Sequence, residues 1–170
     1  MMVEKCYPDF CVNSVWDLTN EFYKNNNIKA VIFDIDNTLV THTTKEPPED
    51  VLKYFELLKA NNIKYAIASN NNKQRVETFC KDLNVPYIYR AFKPRKAPLK
   101  KLAKYFDVPN QNICLVGDQL FTDMLGANRM GFVSVVVTAL GENETGFVSF
   151  KRVFEKMIMK KYLIDKKSKE

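Results

Sequence analysis

Short apolar runs alternate with amphipathic segments along this chain, and the two periodicities separate strands from helices. Residues 28–33 hold Ile28, Ala30, Val31, Ile32 and Phe33 and read as a buried strand that stops at Asp34-Ile35-Asp36-Asn37. A polar loop with Pro47 and Pro48 leads into 49–61, where Val51, Leu52, Phe55 and Leu58 share a helical face. Proline suits a helix start, where its missing amide costs no hydrogen bond. The unit then repeats. A strand over 63–68 ends at Ser69-Asn70-Asn71-Asn72, and a helix over 73–83 turns Val76, Phe79, Cys80 and Leu83 inward. A short strand is expected at 87–89, a helix over 98–106, and a strand over 112–116 closed by Gly117-Asp118. A helix over 123–130 ends at Gly131, and 134–140 is the last strand. Before all of this, 12–27 carries Val12, Val15, Trp16, Phe22 and Tyr23 among polar residues and reads as one or two short helices. Alternating strands and helices predict an α/β fold, a doubly wound, mostly parallel sheet with helices on both faces.

Composition narrows the class. A chain of 170 residues with 46% apolar and 27% charged content suits one compact domain, taken here as residues 1–170. The longest nearly unbroken apolar run, 133–140, is too short to span a bilayer, and the opening residues lack a secretory pattern, so a cytoplasmic protein is expected. Cys80 and Cys114 sit within apolar patterns and read as reduced core thiols. Cys6 and Cys11 have no neighbouring Cys or His cluster, and a zinc site is not indicated. The single histidine, His42, rules out a multi-histidine metal site. The net charge is +6, and residues 151–170 contribute eight basic against three acidic side chains, or +5. The remainder is nearly neutral, so no dedicated nucleic-acid surface is expected.

In parallel α/β sheets the site lies at the carboxyl ends of the strands. Three predicted strand ends carry Asp34 with Asp36, Ser69 with Asn70, and Asp118, while Asp123 follows five residues after Asp118. Clustered carboxylates repel unless a cation lies among them, and an all-oxygen ligand set favours a hard ion, Mg²⁺ first. Magnesium usually accompanies a phosphate. Lys93 is placed to supply fixed positive charge, Ser69 a hydroxyl, and Asn70 and Asn71 backbone amides to phosphoryl oxygens.

In their order and placement these residues resemble the motifs of the haloacid-dehalogenase-like (HAD) superfamily. DIDNTLV at 34–40, IASNNN at 67–72, FKPRK at 92–96 and GDQLFTDMLGANRMGF at 117–132 look like its class IIIA members of the YqeG family, which includes mitochondrial phosphatidylglycerophosphate phosphatases. The likeness covers about residues 5–160. It implies a Mg²⁺-dependent phosphomonoester hydrolase working through an aspartyl-phosphate. Asp34 would be the nucleophile and Asp36 the general acid and base, with Thr38 bracing the loop. Ser69 and Lys93 would bind the transferring oxygens. The metal would be held by Asp34, the main-chain carbonyl of Asp36, and Asp118, with Asp123 orienting a water on the metal or Lys93.

Between the first and third motifs there is room for no cap domain, so the site is expected to be open and to admit a phosphate carried on something large. The tail bears on which. A basic amphipathic helix is expected at about 146–165. Phe147, Phe150, Val153, Phe154, Met157, Ile158 and Leu163 are spaced for one face, and lysines fill the rest. Two readings stand: the stripe packs on the domain, or the helix lies peripherally on an anionic inner membrane surface. Resemblance favours phosphatidylglycerophosphate. The alternatives are a phosphatase for soluble metabolites or nucleic-acid ends, and a non-catalytic module retaining the fold.

Overall fold

A computed structural model describes residues 3–141 and 147–167, the side chains of 147–152 and 167 excepted. Six parallel strands form one sheet: β1 (Phe10–Val12), β2 (Ala30–Phe33), β3 (Lys64–Ala68), β4 (Tyr87–Ile88), β5 (Ile113–Gly117) and β6 (Val133–Val137), in the order β1-β6-β5-β2-β3-β4. The helices are α1 (Asn20–Asn25), α2 (Glu49–Ala60), α3 (Lys73–Cys80), α4 (Lys96–Phe106), α5 (Leu125–Met130) and α6 (Phe147–Lys167). The chain runs from β2 outward to β3 and β4, then returns through α4 to place β5 on the other side of β2. That reversal opens a crevice at the carboxyl ends of β2 and β5.

The pleat divides the core. Val31 and Phe33 of β2 face Val51, Phe55 and Leu58 of α2 and Val76 and Phe79 of α3. Ala30 and Ile32 face Leu99, Leu102 and Phe106 of α4 and Met124 and Ala127 at α5. All four β2 residues are buried, as a central parallel strand covered on both faces requires. Between β2 and β4 the regular elements are α2, β3 and α3, so no cap domain overlies the strand ends among the described residues.

Three local readings change. Residues 12–27 are not helical throughout: β1 precedes a 3₁₀ turn at Val15–Asp17, and only Asn20–Asn25 is α-helix. The strand is three residues long, too short to show alternation, and a side chain outside it sets its register. Asp9 Oδ2 accepts hydrogen bonds from the Ser134 amide at 2.8 Å and hydroxyl at 2.9 Å, fastening β1 to β6. Strand β6 ends at Val137 rather than at 140, because the chain turns toward the site and the Leu140 amide donates to the Asn37 carbonyl at 3.1 Å. The expected helix over 123–130 is preceded by a π-helical turn, Leu120–Met124, that carries Asp123, and α5 begins only at Leu125.

Helix α6 is docked. Tyr162 is buried and meets the Tyr7 ring edge-on at 5.2 Å, the Tyr7 hydroxyl donates to Asp165 at 2.7 Å, and the Phe121 amide donates to the buried Glu155 at 3.3 Å. Phe154, expected in the packed stripe, is exposed, as are Val153, Met157 and Leu163. The start of that expected helix at 146 lies outside the described residues, as do the side chains of Phe147 and Phe150.

Candidate active site

Asp34 leaves β2 with its amide donating to the Val116 carbonyl of β5 at 3.0 Å, which fixes it over the crevice. Asp118 follows β5 directly, and Asp123 swings back from the π-helical turn. That return requires Gly117: a Cβ there would stand 2.3 Å from the Asp123 side chain. The Gln119 amide donates to Asp123 Oδ2 at 3.1 Å and sets its direction. One oxygen from each of Asp34, Asp118 and Asp123 lies within 4.8 Å of the others, and all three residues are buried.

Lys93 is the counter-charge. Its ammonium donates to Asp34 Oδ1 at 2.8 Å and pairs with Asp123 Oδ1 at 2.6 Å. Burial is the main force raising the Asp34 carboxyl; Lys93 opposes it, Asp123 and Asp118 add to it, and the net rise is to about 7. For Lys93, burial alone would lower the pKa, yet Asp123 and Asp34 outweigh it and the ammonium is held charged. Three buried carboxylates against one ammonium leave a site short of positive charge. The donors are hard oxygens from three buried carboxylates gathered within 4.8 Å, so the cluster suits a divalent cation such as Mg²⁺.

The asparagines after β3 each have a separate task. Asn70 brackets the Lys93 backbone, its Nδ2 donating to the Lys93 carbonyl at 3.2 Å and its Oδ1 accepting from the Lys93 amide at 2.7 Å. The Asn71 amide donates to Ser69 Oγ at 3.1 Å, and its Nδ2 donates to Asp36 Oδ2 at 3.1 Å. Asn72 caps α3 through the Arg75 amide at 2.9 Å. The Asn71 amide, expected to face a phosphate, is thus already engaged with Ser69. Backbone bonds from Ala91 to Ser69 and from Arg90 to Asn71 strap the Lys93 loop onto this turn. Thr38 Oγ1 approaches Asp118 Oδ1 at 3.5 Å, bracing that carboxylate.

Asp36 stands apart from the acidic triad. Arg75 donates to its Oδ1 from Nε at 3.1 Å and from Nη2 at 2.9 Å, and Nη1 donates to the Lys45 carbonyl at 2.9 Å. The metal role expected of Asp36 ran through its main-chain carbonyl, and the carboxylate is committed elsewhere. Sequence reasoning missed Arg75. Its signal is position: the residue lies in the first turn of α3, where the helix dipole disfavours a cation unless an anion compensates it.

The family described as "Mitochondrial PGP phosphatase" matches residues 2–140. The chain is 33% identical over 159 residues to "Probable phosphatase YqeG" of Bacillus subtilis, covering 93% of this chain and 92% of that one. It is 23% identical to "Phosphatidylglycerophosphate phosphatase 1, chloroplastic/mitochondrial" of Arabidopsis thaliana, over 92% of this chain and 48% of that protein, so it spans about half of the plant enzyme. Among solved structures, the cobalt-bound deoxy-D-mannose-octulosonate 8-phosphate phosphatase of Haemophilus influenzae superposes with a TM-score of 0.56 at 18% identity, covering 81% of this chain and 90% of that one. The corresponding Moraxella catarrhalis phosphatase, in complex with magnesium and phosphate ions and the sugar, gives 0.53 at 23%, covering 71% and 75%. At such identities the structures establish the fold.

Proposed function

Since the chain belongs to the mitochondrial PGP phosphatase family, within the HAD superfamily, we propose that it is a Mg²⁺-dependent phosphomonoester hydrolase acting through an aspartyl-phosphate, with phosphatidylglycerophosphate as substrate. The observation that carries this reading is the buried Asp34 at the end of β2, oriented by Lys93 at 2.8 Å and flanked by Asp118 and Asp123. Asp34 Oδ attacks phosphorus, the ester P–O bond breaks, and Asp36 gives its proton to the departing oxygen. Asp36 then takes a proton from water as that water attacks phosphorus, the acyl-phosphate bond breaks, and Asp34 is regenerated with release of inorganic phosphate. Lys93 and Ser69 bind the transferring oxygens, and Asn70 and Asp123 keep Lys93 in place. Asp34, Asp118 and the main-chain carbonyl of Asp36 would hold Mg²⁺, with Asp123 beside them, and the bound ion supplies positive charge between nucleophile and phosphate.

The lipid assignment draws on the family and on the uncovered strand ends, which leave room for a large phosphate carrier. No described helix is long and apolar enough to cross a membrane, so access to lipid would be peripheral, through α6. The whole of 1–170 is read as one phosphatase domain. Phosphate release should be measured with and without Mg²⁺ on phosphatidylglycerophosphate in mixed micelles, a sugar phosphate, a nucleotide and a 3′-phosphorylated oligonucleotide. The expected result is Mg²⁺-dependent release, fastest from the lipid and lost in Asp34→Asn. Wild-type turnover in that variant would remove Asp34 as nucleophile, and faster release from a soluble ester would replace the substrate.

A further inference from the structure

A groove of about 910 Å³ runs beside the acidic cluster, between α6 and the carboxyl ends of β1 and β6. Asp118 forms part of its wall, so the groove and the candidate active site share a residue. Beyond Asp118 the lining turns apolar, with Leu120 and Val136 from the domain and Val153, Met159 and Leu163 from α6. Its size lies within the about 300–1,000 Å³ of small-molecule sites, which are apolar with a few placed polar groups. Besides Asp118, its polar side chains are Thr138, Glu155 and two cations, Lys156 and Lys160, one helical turn apart on the groove side of α6. From Val153 to Leu163 the helix extends roughly 15 Å, enough to line a long unbranched chain.

We infer that this groove is an acyl-chain site: it receives one hydrocarbon chain of an anionic phospholipid whose terminal phosphomonoester lies at Asp34. The inference rests on the lipid-phosphate reading above and goes further, since that reading says nothing of where the tails lie. Two observations select this occupant. The groove shares the wall residue Asp118 with the acidic cluster, as a substrate-binding extension would, and most of its other lining side chains are apolar. Its rim carries Lys156 and Lys160, whose charge complements a phosphodiester between the monoester and the acyl chains. Burial of Glu155 does not contradict this, because its carboxylate is turned to the Phe121 amide.

The test compares dioleoyl phosphatidylglycerophosphate in mixed micelles with its deacylated, water-soluble headgroup, using wild type, Leu163→Asp and Met159→Trp. Leu163 is half exposed, so its variant leaves the core intact if Met159→Trp perturbs packing. Wild type should show a lower KM for the dioleoyl substrate than for the headgroup. Each variant should raise the dioleoyl KM about tenfold, the discrimination an apolar pocket gives a methylene or two, with kcat and headgroup kinetics unchanged. A photoreactive diazirine on the acyl chain should label Met159 or Leu163. Equal wild-type KM for the two substrates would overturn the lipid reading and this inference with it. Lipid preference retained in both variants, with labelling elsewhere, would overturn the groove alone.

Discussion

Asp36 shows how much of this site is decided by neighbours of the reacting groups. Its carboxylate is held by Arg75 and Asn71 rather than drawn into the acidic triad, which keeps the proposed proton carrier separate from the proposed nucleophile. Asp36→Asn should lower turnover by roughly 10²-fold, the scale of general acid–base assistance, and an unchanged rate would exclude it from proton transfer. Arg75→Ala should lower kcat by about tenfold with KM little altered, since hydrogen bonds to charged groups contribute about 1.5–3 kcal/mol and this pair is only partly buried. Unaltered kcat would show that Asn71 alone positions Asp36. Asp34 gives the pH dependence. Its carboxyl is raised from 3.8 to about 7 by burial, so the folded protein keeps a proton there that the unfolded chain has lost. This group's contribution to stability therefore falls as pH rises from about 4 to 7 and is level above that. Metal binding needs the deprotonated form, so Mg²⁺ should bind more weakly at pH 6 than at pH 8, as read by titration calorimetry; equal affinity would mean that Asp34 is already ionised at pH 6. In the sequence, Asp34 and Asp118 are legible because charged residues end apolar strands, and Lys93 and Asp123 because they follow those ends in the order of the family's motifs. The side-chain role of Asn70 is not, because its partner lies far away in sequence, and Arg75 shows only as a cation in the first turn of α3 with nothing local to name Asp36 as its anion.

At the scale of elements, strands and helices with a clear period are found within a few residues of their expected places, from β2 and α2 to α4 and β5. The misses share a cause. Strand β1, the end of β6 and the π-helical turn are fixed by individual contacts rather than by an apolar pattern: Asp9 on Ser134 and Leu140 on Asn37, far apart in sequence, and Asp123 over the nearby Gly117. Local periodicity carries no trace of such contacts. Helix α6 shows the same limit differently, because its stripe divides between two faces. Tyr162 and Glu155 turn to the domain, with Ile158 and Met159 partly buried beside them, while Phe154, Met157 and Ile164 point outward. Tyr162→Ala should destabilise the protein by about 2 kcal/mol, less than for a fully enclosed aromatic, lowering the melting temperature by about 4–8 °C. Hydrolysis of a small soluble ester by the variant should be unaffected below its melting point. An unchanged melting temperature would mean that α6 is docked without stabilising the fold.

For the molecule as a whole, the uneven charge and the exposed face of α6 belong together. The excess of +5 in residues 151–170 includes Lys161, beside the outward Phe154, Met157 and Ile164, and Lys156 and Lys160 at the groove's rim, all exposed. An amphipathic helix of this kind gains from both apolar insertion and attraction to anionic lipid. Because its other face is docked over the groove, a membrane bound to the outward side would lie next to the groove's mouth. Lipid would then enter the site without leaving the bilayer entirely. Replacing Lys156, Lys160 and Lys161 with Gln tests the electrostatic part. Each cation contributes about 1 kcal/mol near a negative surface, and screening reduces the sum, so affinity for phosphatidylglycerol vesicles should fall by about tenfold. High salt should weaken the wild type toward the variant, while binding to neutral vesicles, the melting temperature and hydrolysis of a soluble ester should be unchanged in the variant. Sedimentation that is the same for wild type and variant at low salt would mean that these lysines are simply solvated, and lipid would then have to reach the groove by diffusion through water.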